Sequence, residues 1–341
     1  LKKVLAGIFG ILLGITLAAN LPVHAASDDQ NDFEVQPVLP DNQTNMAENF
    51  YDLKVKGSDR QTLQLRIQNF TGKTITVNSN IRNAYTQIGG GIEFTPKPRT
   101  QSLKHPLTHM LTLPKAQQTI TLGPHEATTL SAALSVPKES FKGMVYGDWH
   151  FTEKVAGATK NHTAIKAHYA YSVGVLLQGK HYATTSAALK YAGTRPMLYN
   201  KHPAMAIAVA NPQPMAMRQV AIKAQIMRQG DRNTVRTYQA TKKMIAPNST
   251  LKAPISWNYD AMKPGTYQIK IQVQGQNYAN RFPIDQTFTR TFKVAQQTAD
   301  KLNAQAAKKP KNRWLPAAIT SGVLWLMAVG SLIWVLAVKP R

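Results

Sequence analysis

The sequence predicts an all-β fold: two immunoglobulin-like antiparallel β-sandwich domains followed by one C-terminal transmembrane α-helix. Three observations predict it. Short runs alternate apolar and polar residues, most clearly where Tyr267, Ile269, Ile271 and Val273 interleave with Gln268, Lys270, Gln272 and Gln274. Turn residues separate these runs, as in sandwiches with many short strands. Residues 314–338 hold no charge, and at about 1.5 Å per residue they are long enough to cross roughly 30 Å of hydrocarbon.

Each element follows in chain order. Lys2 and Lys3 precede an apolar run, and Val23-His24-Ala25 offers small residues at a cleavage site, so residues 1–25 are expected to be a signal peptide. The first domain is expected over 32–180. Leu63, Leu65 and Ile67 alternate with polar neighbours, Asn69-Phe70-Thr71-Gly72-Lys73 turns, and Ile75 and Val77 resume the pattern as a hairpin. Further strands are expected at 118–122, 128–136, 144–151 and 165–177. Gly89-Gly90-Gly91 reads as a flexible turn with no phosphate-binding context. The boundary is placed near 178–190.

The second domain is expected over 187–295, with strands at 205–210, 220–229, 235–244, 251–257, 267–274 and 286–294. Residues 260–265 turn, and Tyr267 either anchors that corner or fills the core. Residues 296–313 lack a core pattern and read as a stalk, 314–338 as the span and 339–341 as a cytoplasmic tail. Trp314, Lys339 and Arg341 are the expected membrane-interface residues.

Composition bounds the function. The chain has no cysteine, which excludes a disulfide scaffold and a thiol nucleophile and suits a bacterial ectodomain. Residues 27–180 carry 16 Lys and Arg against 13 Asp and Glu, whereas residues 181–312 carry 20 against 4. The basic excess belongs to the second half. It points to polyanions outside the cell, with no specific nucleic acid partner. Arg228, Arg232, Arg236, Lys242 and Lys243 are the candidate polyanion contacts.

Catalytic constellations are scarce. His105 and His109 have the spacing of a helical metal pair, but Pro106 opposes a helix and no third ligand lies near. No Gly-x-Ser-x-Gly occurs. The expectation is a protein without enzymatic activity, cofactor or metal. Aromatic segments are better candidates for binding sugars or peptides: Phe50, Tyr51, Tyr146, Asp148 and Trp149 are the candidate ligand-binding residues. Core packing competes with that role, most of all for Trp149.

The order of several segments resembles the WxL-interacting protein family of Gram-positive bacteria. They include Phe33-Glu-Val-Gln-Pro-Val-Leu-Pro-Asp-Asn-Gln43, Tyr51-Asp-Leu-Lys-Val-Lys56, Asn69-Phe-Thr-Gly-Lys-Thr-Ile-Thr-Val77 and Ser102-Leu-Lys-His-Pro-Leu107. In the second half they include Ala210-Asn-Pro212, Ser256-Trp257 and Lys263-Pro-Gly-Thr-Tyr267. The resemblance implies a peptidoglycan-binding domain followed by a host-binding domain. It also implies a WxL-domain surface protein as partner and a host extracellular-matrix protein as a further one. With the expected span, the protein would sit in the cell membrane as a single-pass adhesion and scaffold protein, its ectodomain facing the wall. A wall-modifying hydrolase and an assembly chaperone or stalk are the alternatives. One departure is expected, at Tyr146–Phe151, where the family carries a strand of Gly-Gly-Ile-x-Phe type.

Overall fold

Alternation in the sequence becomes strand pairing in the computed structural model, which describes residues 32–96, 103–139, 141–154, 170–180, 189–230, 234–308 and 315–337. In the first sandwich, one sheet runs β1 (Phe33–Val38), β3 (Arg60–Asn69), β8 (Ala127–Ser135), β6 (Leu111–Thr112). The facing sheet runs β2 (Tyr51–Lys54), β10 (Ala170–Gln178), β9 (Met144–Glu153), β4 (Ile75–Thr86), β5 (Ile92–Thr95), with β7 (Thr119–Leu122) also paired to β4. Leu63, Leu65 and Ile67 of β3 share one core with Val77, Trp149 and Phe151. One pairing departs from the antiparallel expectation: β2 lies parallel to β10, with Tyr51 beside Val175. The 39–50 loop carries the chain from one sheet to the edge of the other, and this sets the direction of β2.

In the second sandwich, β11 (Lys190–Tyr199), β12 (His202–Asn211) and β15 (Ser249–Ser256) face β14 (Thr234–Ile245), β13 (Met217–Arg228), β16 (Gly265–Asn277) and β17 (Pro283–Val294). Ile269, Ile271 and Val273 are buried in its core. The Tyr267 hydroxyl donates to the Lys263 carbonyl at 2.6 Å, so this buried ring both fills the core and pins the turn before it. β11 escapes the alternation rule. It is an edge strand with no buried residue, a bulge between Tyr191 and Gly193, and Pro196 within it. Such a strand has no hidden face to leave a period-two signal.

The two sandwiches are stitched together. The Gly89–Gly91 triplet is not a free turn: the Gly89 N–H donates to the Lys252 carbonyl at 2.8 Å and the Gly91 N–H to the Met244 carbonyl at 2.9 Å. Ile88 forms a parallel bridge with Lys252. Gly90 has φ 85°, and a Cβ there would press on the Lys243 side chain at 3.0 Å, so glycine is required. Thr86 adds two bonds, donating its N–H to Ser249 Oγ at 2.8 Å and accepting from the Ala246 N–H at 3.0 Å. At a separate point the Met144 N–H donates to the Pro214 carbonyl at 2.7 Å.

Beyond β17, the segment expected as a stalk is helical over α1 (Gln296–Gln305) and lies on the second sandwich. Ala299 and Leu302 join its core, and Asn303 exchanges two hydrogen bonds with the Met262 backbone. The transmembrane expectation is corrected. Leu315–Ala337 form a helix, α2, but among the described residues no helix is long and apolar enough to cross a membrane. Neither a transmembrane element nor single-pass membrane location stands as part of the architecture. The expected signal peptide, Arg232, Trp314, Lys339 and Arg341 lie outside the described residues.

Candidate functional site

A cleft of about 780 Å³ separates the sandwiches on one side of the joint. Its floor is apolar: Leu176 and Ala216 line it and are buried together with Met144 and Met215, and Phe50, Tyr146 and Tyr278 pack against this cluster. The antiparallel register of β9 and β10 sets Tyr146 beside Leu176. Phe94 of β5 meets Tyr146 edge-on, with ring centroids 5.6 Å apart at 90°. Gly174 leaves room for Phe50, whose Cβ lies 3.5 Å from where a glycine-replacing Cβ would sit. The first domain therefore contributes an aromatic wall.

The opposite wall is cationic, with Arg218 from β13 and Lys242 and Lys243 from β14. Local irregularities put them there. The β13–β14 register slips between Met217 and Val220 and again between Val220 and Ile222. Gln219 and Lys242, both lining the cleft, have φ 53° and 54°. Bulges re-aim side chains, and a non-glycine residue at positive φ stores about 1 kcal/mol or more of strain. The Arg218 guanidinium lies 5.9 Å from the Tyr278 ring centroid, held by the ring's negative face. Burial pushes the Tyr146 phenol up to about 12, with Tyr278 and Asp148 adding to the shift. Burial also raises Tyr278, helped by Asp52 and Glu48. Both rings therefore present neutral hydroxyls at neutral pH.

The structure gathers Phe50, Tyr146, Lys242 and Lys243 from the sequence candidates into this cleft. Of the remaining ligand-binding candidates, Tyr51, Asp148 and Trp149 are corrected. Tyr51 and Trp149 are fully buried in the first core. The Tyr51 hydroxyl donates to the Gln64 carbonyl, and Trp149 Nε1 donates to Ser79 Oγ at 2.7 Å. Neither ring is open to a ligand. Asp148 is fully buried and held by Arg82, through Nε at 3.1 Å and Nη2 at 2.5 Å. Arg228 donates to the Pro264 carbonyl. Arg236 pairs with Asp260 at 2.5 Å and lies over the Trp257 ring. Both arginines make these contacts within their own domain and lie outside the cleft lining.

Asp148, His150 and Ser172 lie close together but do not form a nucleophile relay. His150 Nδ1 faces both Ser172 Oγ at 3.2 Å and Asp148 Oδ2 at 4.0 Å, and its Nε2 is taken by Thr152. A relay needs one nitrogen for the hydroxyl and the other for the carboxylate. Burial and the Arg82 charge lower the His150 pKa and keep the ring neutral. His105 packs against the Phe141 ring and His109 ends a 3-10 turn. Among the described residues no group of three metal-ligating side chains occurs.

Phe94, Arg218 and Tyr278 were not among the sequence candidates. Phe94 had a signal: the chain carries Gly90-Gly91-Ile92-Glu93-Phe94. The departure assigned to Tyr146–Phe151 is therefore corrected, since the pattern stands earlier and runs into β5. Arg218 and Tyr278 have no local signal, because bulge geometry and the end of β16 bring them in.

Two β-sandwiches, stitched edge to edge around a cleft, define a modular two-domain β-sandwich protein. The chain belongs to the WxL-interacting protein family: residues 33–153 match its peptidoglycan binding domain and residues 160–304 its host binding domain. It is a cell-surface protein that binds peptidoglycan and a WxL-class partner, and its domains are binding modules rather than enzymes. No curated protein matches the chain. Among solved structures, the class 5 fimbriae chaperone CfaA is 10% identical, with 76% of this chain and 98% of that one covered and a TM-score of 0.33. The YadV chaperone is 11% identical, with 76% and 100% covered and a TM-score of 0.30. The Salmonella enterica SafA pilin in complex with the SafB chaperone is 9% identical, with 78% and 98% covered and a TM-score of 0.30. At these scores the likeness carries no argument.

Proposed function

We propose that the wall polymer lies in the cleft between the sandwiches, with its sugars on the aromatic wall and its acidic groups on the cationic wall. The observation that carries this reading is the meeting of two chemistries across one cavity: Phe50, Phe94 and Tyr146 face Arg218, Lys242 and Lys243. The apolar faces of sugar rings pack on aromatic rings, and a neutral tyrosine adds a hydroxyl for sugar oxygens. Carboxylates on the peptide stems of peptidoglycan are matched by guanidinium and ammonium groups. The backbone strain at Gln219 and Lys242 fits cations that are set before the ligand arrives. The basic excess of the second half supports a further contact with acidic host-matrix proteins.

The test is co-sedimentation of the full chain with purified sacculi stripped of teichoic acid. Phe94→Ala, and separately Lys242→Glu with Lys243→Glu, are each expected to weaken binding about tenfold. Wild-type binding by both variants rules the cleft out. Binding that salt abolishes but Phe94→Ala leaves intact identifies a non-specific polyanion trap instead.

A further inference from the structure

We infer that the flank of the second sandwich between the edge strands β11 and β17 docks an extended segment of the WxL-class partner, which adds as a strand to β17. β17 pairs only with β16 among the described strands, through twelve successive residue pairs without a register break. Proteins usually blunt such an edge by shortness, a bulge, a cover, a proline or an inward charge; β17 opens on Pro283 and sets Arg290 in its inward row, which turns away an apolar strand but not one that brings an acid. Here the inward row runs Ile284, Gln286, Phe288, Arg290, Phe292, Val294. Its ends are buried, but Phe288 and Phe292 are only half-buried and Arg290 is exposed. The Arg290 guanidinium sits over the Tyr191 ring of β11 at 5.4 Å, and Tyr191 lies 6.5 Å from Phe288. Among the described residues nothing further covers the middle of this flank.

The opposite flank shows how the fold closes such a gap. There the 87–91 segment of the first domain reaches the edges of both β14 and β15, with main-chain bonds to Met244 and Lys252 and a parallel bridge to β15. The sandwich already accepts main-chain hydrogen bonds from outside itself on one side, there from a glycine turn closed between Gln87 and Gly91.

The inward row sets the chemistry of the occupant. A strand added to β17 places alternate side chains opposite Phe288, Arg290 and Phe292, which selects apolar, acidic and apolar residues at every second position. Lys293 and Lys190 flank this row, and Asp285 is the one acid on β17. A second copy of this chain fits poorly, because the inward row of β17 holds no acid to set against Arg290 and its one acid, Asp285, lies on the outward face. The WxL-class protein is the partner that family membership supplies.

The test uses the full chain and two probes: a purified WxL-domain surface protein, and the labelled peptide Thr-Val-Thr-Glu-Thr-Val-Thr. Arg290→Glu changes an exposed side chain, so melting and sacculus binding should stay as in the wild type. It is expected to weaken both probes about tenfold and to restore a peptide whose central Glu is replaced by Lys. The WxL-domain protein should also slow amide exchange along β17. The proposal is overturned if neither probe binds, if Arg290→Glu changes WxL-protein binding by less than about twofold, or if exchange slows at another edge. Self-association of the chain through β17 would assign the flank to a second copy and overturn the choice of partner.

Discussion

The two flanks of the second sandwich differ in what covers them, not in what they are made of. β14 and β17 are both edge strands of 12 residues in the same sheet, and both mix threonines with basic residues. On the β14 side, the first domain supplies a glycine loop and a threonine whose hydrogen bonds cover the end of β14 at Met244 and reach β15 beside it. On the β17 side, half-buried aromatic rings and an exposed arginine look outward. An edge strand is thus closed by what the rest of the chain brings to it. The junction between the domains is therefore a built interface, and the cleft with its bulged cations is a product of that interface.

This contrast can be broken at the stitched flank first, where effects should be largest. Gly143 has φ 81°, and a Cβ there would sit 2.1 Å from the Pro214 carbonyl oxygen. Gly143→Ala should force the domains apart, costing about 3 kcal/mol from strain and a lost main-chain bond. Thermal melting and small-angle scattering check this. An unchanged radius of gyration would mean that the joint does not depend on that approach. Thr86→Val removes the acceptor of the Ala246 N–H, which lies in a buried bond. The expected cost is about 1–3 kcal/mol for an unsatisfied buried donor. At the open flank, Phe288→Ala should cost only about 1 kcal/mol, because the ring is half-buried. A cost as large as that of a core phenylalanine, about 3–5 kcal/mol, would show that this flank is closed after all.

The sequence was informative where burial is one-sided. β16 announced itself because one face of the strand is core and the other is solvent, so Tyr267, Ile269, Ile271 and Val273 had to alternate with polar residues. β11 stayed hidden because none of its residues is buried. The candidate site was half legible. Phe50 and Tyr146 could be named as aromatics near polar turns, but so could Tyr51 and Trp149, and one residue's difference in strand phase decides which ring is core and which is wall. Arg218 could not be chosen from among the many basic residues, since its place depends on a register slip in β13. The Gly89–Gly91 triplet signalled unusual backbone, yet only the partner strands reveal that its purpose is to approach another domain.

The smallest effect at neutral pH, where it is nil, lies in the titration of Tyr146, and it sharpens the contrast without touching stability in ordinary buffers. This phenol is raised from 10.0 to about 12 by burial, and Tyr278 from the second domain adds to the shift. The floor on which both rings rest combines Met144 and Leu176 with Met215 and Ala216, so much of the burial depends on the joint. Below pH 10 the phenol is protonated in both the folded and the unfolded chain, and the contribution of its burial is fully present. As the pH rises from 10 towards 12, the unfolded chain releases its proton first, so stability falls across that window. The difference between ultraviolet titrations of the wild type and Tyr146→Phe, which sets aside Tyr51 in the first core, should therefore show Tyr146 ionising late, near pH 12. In Gly143→Ala, with the domains parted, the same group should ionise closer to pH 10. A late Tyr146 phenol that persists in the variant, read as the same difference, would locate its burial within the first sandwich alone, and the cleft would then be a surface of one domain rather than a cavity made by two.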